Sequence, residues 1–203
     1  MDSESFSSIW PPYEVFYFQS MLFNTGSVKQ AANSAQKIID GIDDGKYNAQ
    51  QIKDVLLDRL QSIIIHSGAI SRYFFPSRND PAKATENQKN IHKKRSDYLR
   101  RVFSVNESSP LAEKGLRNAI EHYDERLDLY LENGIVGHIF PSLILDRPEE
   151  TEVPHHIFRA YYLQDGLFQI LDERYLIKPI VDEVARIHNQ LIGLDENYKN
   201  LIN

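Results

Sequence analysis

The stretch that decides the fold is "SPLAEKGLRNAIEHYDERLDLYLENG", residues 109–134. Ser109 is suited to be a helix N-cap, and Pro110 fits the first helical position, where its missing N–H needs no partner. Apolar residues then recur every three or four positions, which is the spacing of one buried helix face. These residues are Leu116, Ile120, Tyr123, Leu127, Tyr130 and Leu131. Because Asn133-Gly134 is a typical helix stop, the stretch predicts one long amphipathic helix.

The same periodicity predicts further helices on both sides of this one. The first begins near Pro12 and either stops at Thr25-Gly26-Ser27 or continues to Ile42. The second covers residues 48–74, with Asn48 as its N-cap. A third covers 84–105 and follows a polar, turn-rich loop. With the helix after Ser109, these segments make four long helices joined by loops.

The character of the chain changes after Gly134. Residues 135–156 contain short apolar runs and three prolines, which predicts an irregular connection. Asp165-Gly166 lies between apolar runs and is a strong hairpin signal. A closing helix is predicted from Lys178 to about Leu194.

The predicted fold class is therefore all-α, an up-and-down helical bundle of four to five helices with a small C-terminal β-hairpin. In this interpretation residues 1–134 form a four-helix bundle core. Residues 135–203 add the irregular connection, the hairpin and the closing helix, which pack on the bundle as part of a single domain.

Composition limits the classes of function. The chain has 203 residues, a net charge of −6 and no cysteine. Thiol catalysis, disulfides and cysteine-ligated metals are thereby excluded. No apolar run reaches the roughly 18 residues of a membrane span, and the acidic N-terminus lacks the pattern of a secretory signal. We expect a cytoplasmic protein that makes no membrane contact.

A group of polar residues lies on the predicted fourth helix. Residues four apart on a helix are neighbours, so Asn118 lies one turn from His122. Arg117 lies about 140° around the axis from His122 at 3.6 residues per turn. A straight helix does not bring Arg117 and His122 together, whereas two copies of the helix meeting in a dimer would.

This segment resembles the HEPN family of helical domains. The family motif is an arginine, usually followed by a polar residue, with four to six residues between the arginine and a histidine. Arg117, Asn118 and His122 match it. Asp124 stands where many toxin-type members carry tyrosine. Arg59 and His66 have a compatible spacing, but there the follower is the apolar Leu60.

The resemblance implies a homodimeric, metal-independent ribonuclease, toxin-like or defence-related, with an antitoxin or another protein as a further partner. His122 would act as acid or base and Arg117 would bind the phosphate, because imidazole titrates near neutrality and guanidinium matches phosphate geometry. Asn118 would orient the histidine or bind a phosphate oxygen. Glu125 would fix the imidazole tautomer, a role that Glu121 or Asp124 could fill instead, and Arg126 continues the same polar stripe.

The third helix is the most basic window of an acidic chain. A basic window of this kind can attract an RNA backbone, although a charged helix face is more often simply solvated. The candidate RNA-binding residues are Lys93, Lys94, Arg95, Arg100 and Arg101.

Other chemistries have weaker support in the sequence. We expect no metal site and no cofactor, because no Glu-x-x-His pairs, His-Glu-x-x-His motif or glycine-rich phosphate loop is present. The alternative to a ribonuclease is a non-catalytic helical binding or scaffold protein of the same fold, in which the same polar residues hold helices or partners together.

Overall fold

The computed structural model describes residues 11–76, 90–113, 115, 118, 122–132 and 134–202; for 11–14 and 195–202 it describes the backbone alone. Within these residues the chain forms five α-helices and four β-strands. The helices are α1 (Pro11–Asp43), α2 (Ala49–Phe74), α3 (Ile91–Val102), α4 (Tyr123–Glu132) and α5 (Lys178–Ile202). The strands are β1 (His138–Leu145), β2 (His155–Tyr162), β3 (Leu167–Ile170) and β4 (Glu173–Leu176).

The long helices form one side of the molecule. α1 packs against both α2 and α5. α1 is continuous through Thr25-Gly26-Ser27. The Thr25 hydroxyl donates to the Leu22 carbonyl, and the Ser27 hydroxyl donates to the Phe23 carbonyl. Because both hydroxyls bond within the helix, neither competes with it for backbone partners. Asn48 is confirmed as the N-cap of α2: its side-chain oxygen accepts from the N–H groups of Gln50 and Gln51.

The prediction of an all-α bundle with a small hairpin was wrong. The four strands form one mixed sheet in the order β1-β2-β3-β4. β1 and β2 are parallel, while β2–β3 and β3–β4 are antiparallel. The Asp165-Gly166 turn between β2 and β3 is confirmed, with Gly166 at φ +63°. That hairpin is the centre of the sheet rather than a separate addition.

The error lies mainly in β1, whose segment was predicted to be irregular. Pro141 falls inside the strand, and proline is compatible with a strand where its missing N–H needs no ladder partner. β1 is an edge strand, and its ladder passes from Phe140↔Ile157 to Ser142↔Arg159 without using Pro141. A parallel partner requires the chain to return along the whole strand, and residues 146–154 make this return without a helix.

The predicted helix over 109–134 is also divided. Ser109 caps only a short 3₁₀ turn, Pro110–Ala112, and Glu113 leaves that turn with extended backbone angles. The Glu113 carboxylate then accepts from the N–H of Gly115 at 2.6 Å. α4 follows from Tyr123. Leu116 and Ile120 of the predicted stripe lie outside the described residues, and Leu131 is exposed.

One apolar core joins the helices to the sheet. It contains Met21 of α1, Leu60 of α2, Leu99 of α3, Phe168 of β3 and Ile187 of α5. The third helix begins at Ile91 in the described chain; the predicted start at Ala84 lies outside it. No helix within the described ranges combines the length and apolar character that a membrane crossing needs. The predicted division at residue 134 stays a prediction.

Candidate functional site

α4 lies on the sheet through three side chains, one on each successive turn. The Tyr123 ring meets Phe158 edge-on, with ring centroids 4.6 Å apart. Arg126 donates to the Glu173 carboxylate at 2.7 Å. The Tyr130 hydroxyl lies 2.8 Å from His156 Nδ1. Because these positions recur with helical spacing, they form one face of α4, and that face holds the helix against β2 and β4.

His122 precedes the first residue of α4 and lies outside this face. Its side chain is 57% exposed, and its Nδ1 lies 3.5 Å from Glu125 Oε2. The distance is that of an ion pair rather than of a normal hydrogen bond. The His122 N–H donates to the Asn118 carbonyl at 3.0 Å, so the two residues are one helical turn apart. The structure thus brings the Glu125 carboxylate close to the His122 ring and places Asn118 one helical turn before His122.

The other predicted members of the site have different positions. Arg117 lies outside the described residues, as does Glu121. Arg126 is directed to the sheet, where its guanidinium is engaged by Glu173. Asp124 is exposed. Of the two acidic candidates that the structure describes, Asp124 and Glu125, the one in close contact with His122 is Glu125.

Two residues that sequence reasoning missed control the position of Arg126. Glu173 accepts from Arg126 and also from the Tyr175 hydroxyl. These hydrogen bonds stabilise the carboxylate and lower the pKa of Glu173. Burial and the carboxylate together raise the pKa of Tyr175. No local pattern indicates this cluster, because Arg126 and Glu173 meet only through the tertiary fold.

Tyr123 and Arg159 each carry an unsatisfied polar atom. Tyr123 Oη and Arg159 Nε are buried without a hydrogen-bond partner among the described residues. Burial raises the pKa of Tyr123 to about 12, and the nearby charge of Arg159 opposes that rise. Tyr123 therefore remains a neutral phenol at physiological pH.

The basic residues of α3 differ in how far their side chains are exposed to solvent. Arg95 donates to the Arg72 carbonyl at 2.9 Å and lies over the rings of Tyr17 and Tyr73. Arg100 pairs with Glu107 at 2.8 Å.

Lys93 pairs with Asp97 at 2.5 Å on the exposed surface of the same helix. Lys94 and Arg101 are exposed. The fully buried Ser96 and Leu99 mark the opposite, core-facing side of α3. The solvent face of this helix therefore presents Lys93, Lys94 and Arg101 as its accessible cations.

Within the described residues, no group of three histidine or acidic side chains has the arrangement needed to hold a metal ion. Comparisons with protein-family models, with characterised proteins and with solved structures find no match to this chain.

Proposed function

We propose that this protein is a cytoplasmic, homodimeric, metal-independent endoribonuclease in which His122 provides the acid–base chemistry. The observation that carries the proposal is the environment of His122. Its imidazole is exposed to solvent, and a carboxylate faces one of its two ring nitrogens. An accessible histidine with one nitrogen held by a carboxylate is the arrangement that general acid–base catalysis uses.

The proposed reaction is an internal transfer at phosphorus. A base removes the proton of the ribose 2′-hydroxyl, and the 2′-oxygen attacks the phosphorus. The bond from phosphorus to the 5′-oxygen breaks, and an acid returns a proton to that leaving oxygen. Atoms and charge balance without an oxidant or a reductant. Neutral His122 can accept the first proton and its protonated form can donate the second.

Glu125 supports His122 in this proposal. A carboxylate 3.5 Å from Nδ1 favours the tautomer and the orientation in which Nδ1 carries a proton. Nε2 is then left to face the substrate. Arg126 is not part of the reacting centre, because its guanidinium is bound by Glu173; its role is to hold α4 in place.

A cation must stabilise the charge that develops on the phosphorane oxygens. The resemblance implies Arg117 for this role, and a second copy of the chain as the source of a closed site. Asn118 is one turn from His122 and would contribute a polar group beside it. Lys94 and Arg101 on α3 are the exposed cations proposed to attract RNA.

The test is cleavage of a mixed RNA pool in the presence of EDTA. We expect the wild type to cleave RNA and His122→Ala to lose at least about 100-fold in rate, which is the usual contribution of a positioned acid–base group. His155→Ala is the matched control, because His155 is also an exposed histidine but its ring lies beside His138 and Phe140 of β1. Equal rates in wild type and His122→Ala would refute the assignment.

The second candidate function is a non-catalytic binding or scaffold protein, with RNA, an antitoxin or another protein as the partner. The observation that favours it is the packing of α4, whose Tyr123, Arg126 and Tyr130 all contact the chain's own sheet. Absence of cleavage by a folded dimer that still binds RNA would favour this candidate over the enzyme.

A further inference from the structure

A concave surface lies on α2, and His122 is not among the residues that line it. It has a volume of about 510 Å³ and is formed by one face of α2 together with Arg159 of β2. We call it the α2 groove. The residues that matter for its chemistry are Asp54, Asp58, Gln61, Ile65, His66 and Arg159. A volume of this size is within the range of small-molecule sites.

The groove holds one permanent cation that is only partly satisfied. Arg159 Nη1 donates to Gln61 Oε1 at 3.0 Å. Arg159 Nε is covered and has no acceptor within the described part of the chain. Because Gln61 occupies Nη1 and Nε is covered, Nη2 is the guanidinium nitrogen that can donate to a ligand carboxylate.

Two carboxylates lie beside that cation. Asp58 is three residues before Gln61 on α2, and positions three apart on a helix are neighbours, about 5–6 Å between Cβ atoms. Asp54 lies one further turn away. The Asp58 carboxylate and the guanidinium bound by Gln61 therefore line neighbouring parts of the groove, with opposite charges. Asp58 also lies 3.5 Å from Arg59 Nη1, in an exposed pair that solvent screens and that a ligand ammonium can share.

These charges restrict the ligand. A bare anion drawn to Arg159 meets the negative charge of Asp58, and a bare cation drawn to the carboxylates meets Arg159. A molecule that carries an ammonium and a carboxylate a few ångströms apart satisfies both groups. That spacing belongs to an α-amino acid or to the end of a short peptide.

The far end of the groove is apolar and aromatic. Asn24 donates from Nδ2 to the Ser20 carbonyl at 2.8 Å, so its oxygen faces His66 Nδ1 at 3.0 Å and fixes the ring. Phe23, 69% exposed, lies edge-on to that ring, and Ile65 is also exposed. An apolar side chain of a ligand would find contact area here.

We propose that the α2 groove binds the ammonium and carboxylate of an amino acid or short peptide with an apolar side chain. Asp58 would bind the ammonium, Arg159 the carboxylate, and Ile65 with Phe23 the side chain. This site is separate from His122 and does not depend on ribonuclease activity.

The test is a titration of the ¹⁵N-labelled full chain, followed by NMR, with L-leucine and L-phenylalanine. N-acetyl-leucine lacks the ammonium, leucinamide lacks the carboxylate, and Leu-Leu represents a peptide end. We expect the amino acids or the dipeptide to shift resonances of α2, and each derivative to bind at least about tenfold more weakly, since one charged hydrogen bond contributes about 1.5–3 kcal/mol. Tighter binding of the dipeptide would identify a peptide as the ligand.

The matched variants are Asp58→Asn and Arg159→Gln, each expected to weaken binding about tenfold or more. Asp58 is exposed on a helix, so its variant keeps the fold even if Arg159→Gln does not. Asp128→Asn and Arg147→Gln, on exposed residues elsewhere, should bind as the wild type does. The absence of any resonance shift at about 10 mM ligand would overturn the proposal, because a dissociation constant of that size corresponds to a binding free energy of only ~3 kcal/mol. Binding of N-acetyl-leucine as tight as that of L-leucine would also overturn it. His122→Ala should bind normally, which separates this result from that of the ribonuclease test.

Discussion

Arg126 and Glu173 form a salt bridge of 2.7 Å that joins α4 to the last strand of the sheet. The same carboxylate accepts a hydrogen bond from Tyr175, so one acidic side chain holds both a neighbouring strand residue and the helix that follows His122. The position of His122 therefore depends on a contact made outside its own segment.

Replacement of this carboxylate should loosen α4. We expect Glu173→Gln to lower the free energy of unfolding by about 0.5–1 kcal/mol at pH 7, a modest value because the two side chains are 33% and 40% exposed and solvent screens the pair. The measurement is urea unfolding. Glu150→Gln, an exposed acid in the 146–154 connection, is the control and should change stability little.

The same pair makes a pH-dependent contribution. The hydrogen bonds of Arg126 and Tyr175 lower the pKa of Glu173 in the folded chain, so the folded state binds fewer protons than the unfolded state. The contribution is complete above the unfolded pKa of about 4.5 and is lost as the pH falls through the lowered folded pKa. The difference between wild type and Glu173→Gln should shrink over that acidic range. A difference that stays constant would contradict the assigned cause.

The parts of this fold that sequence could predict are those with local causes. Asn48 caps α2 through hydrogen bonds to residues two and three positions away, and Asp165-Gly166 forms its turn within one hairpin. The parallel pairing of β1 with β2 has no local signal, and Pro141 argued against a strand because its edge position was not visible in the sequence.

The residues of the candidate site also fall into two groups, those that local spacing predicts and those that only the tertiary fold positions. Asn118, His122 and Glu125 are related by helical spacing and were grouped by it. Arg126 has the same spacing, yet its partner Glu173 is 47 residues away in the chain and captures it. Arg159 of the α2 groove comes from a different element altogether. Periodicity predicts which residues share a helix face but not which of them another element will bind.

Thr25 and His188 form a polar contact between α1 and α5. Thr25 is fully buried, and its Oγ1 lies 2.8 Å from His188 Nδ1. We expect Thr25→Val to destabilise the fold by about 1–2 kcal/mol, because the imidazole nitrogen loses its partner inside the helix interface. Urea unfolding at pH 8 measures this loss. The comparison variant is Ser34→Ala, on the same helix, which should change stability by less than about 0.5 kcal/mol.

The protonation of His188 gives a separate prediction. Burial and the nearby charge of Lys29 lower its pKa below 6.5 in the folded chain. The unfolded state then binds more protons than the folded state, so stability falls as the pH drops below about 6.5 toward the lowered pKa. NMR titration of His188 should give a pKa below 6.5. A His188→Gln variant should lose this part of the pH dependence.

Gly137, immediately before β1, has a conformation that only glycine adopts easily. Its φ is +136°, and an added Cβ would collide with the Pro154 carbonyl oxygen, which accepts the His138 N–H at 3.0 Å. Gly134 also has a positive φ, +76°, but an added Cβ there meets no atom within 4 Å. We expect Gly134→Ala to cost about 1–2 kcal/mol from backbone strain alone. Gly137→Ala should cost clearly more, because β1 must also separate from Pro154. Equal losses in urea unfolding would contradict the steric argument.

At Gly26 we expect the opposite effect, a gain in stability on replacement by alanine. Gly26 lies within α1 with an ordinary helical backbone and open space around it. An added Cβ meets nothing within 4 Å. Alanine restricts the unfolded chain and favours a helix interior, so Gly26→Ala should raise the free energy of unfolding by about 0.5–1 kcal/mol.

Gly41 of the same helix is the matched control. There an added Cβ would overlap the Tyr47 ring, and the displacement of that ring should cancel the gain. Thermal unfolding of the two variants, followed by circular dichroism of the whole chain, compares them directly. A gain at Gly41 as large as at Gly26 would show that the space around the helix does not decide the effect.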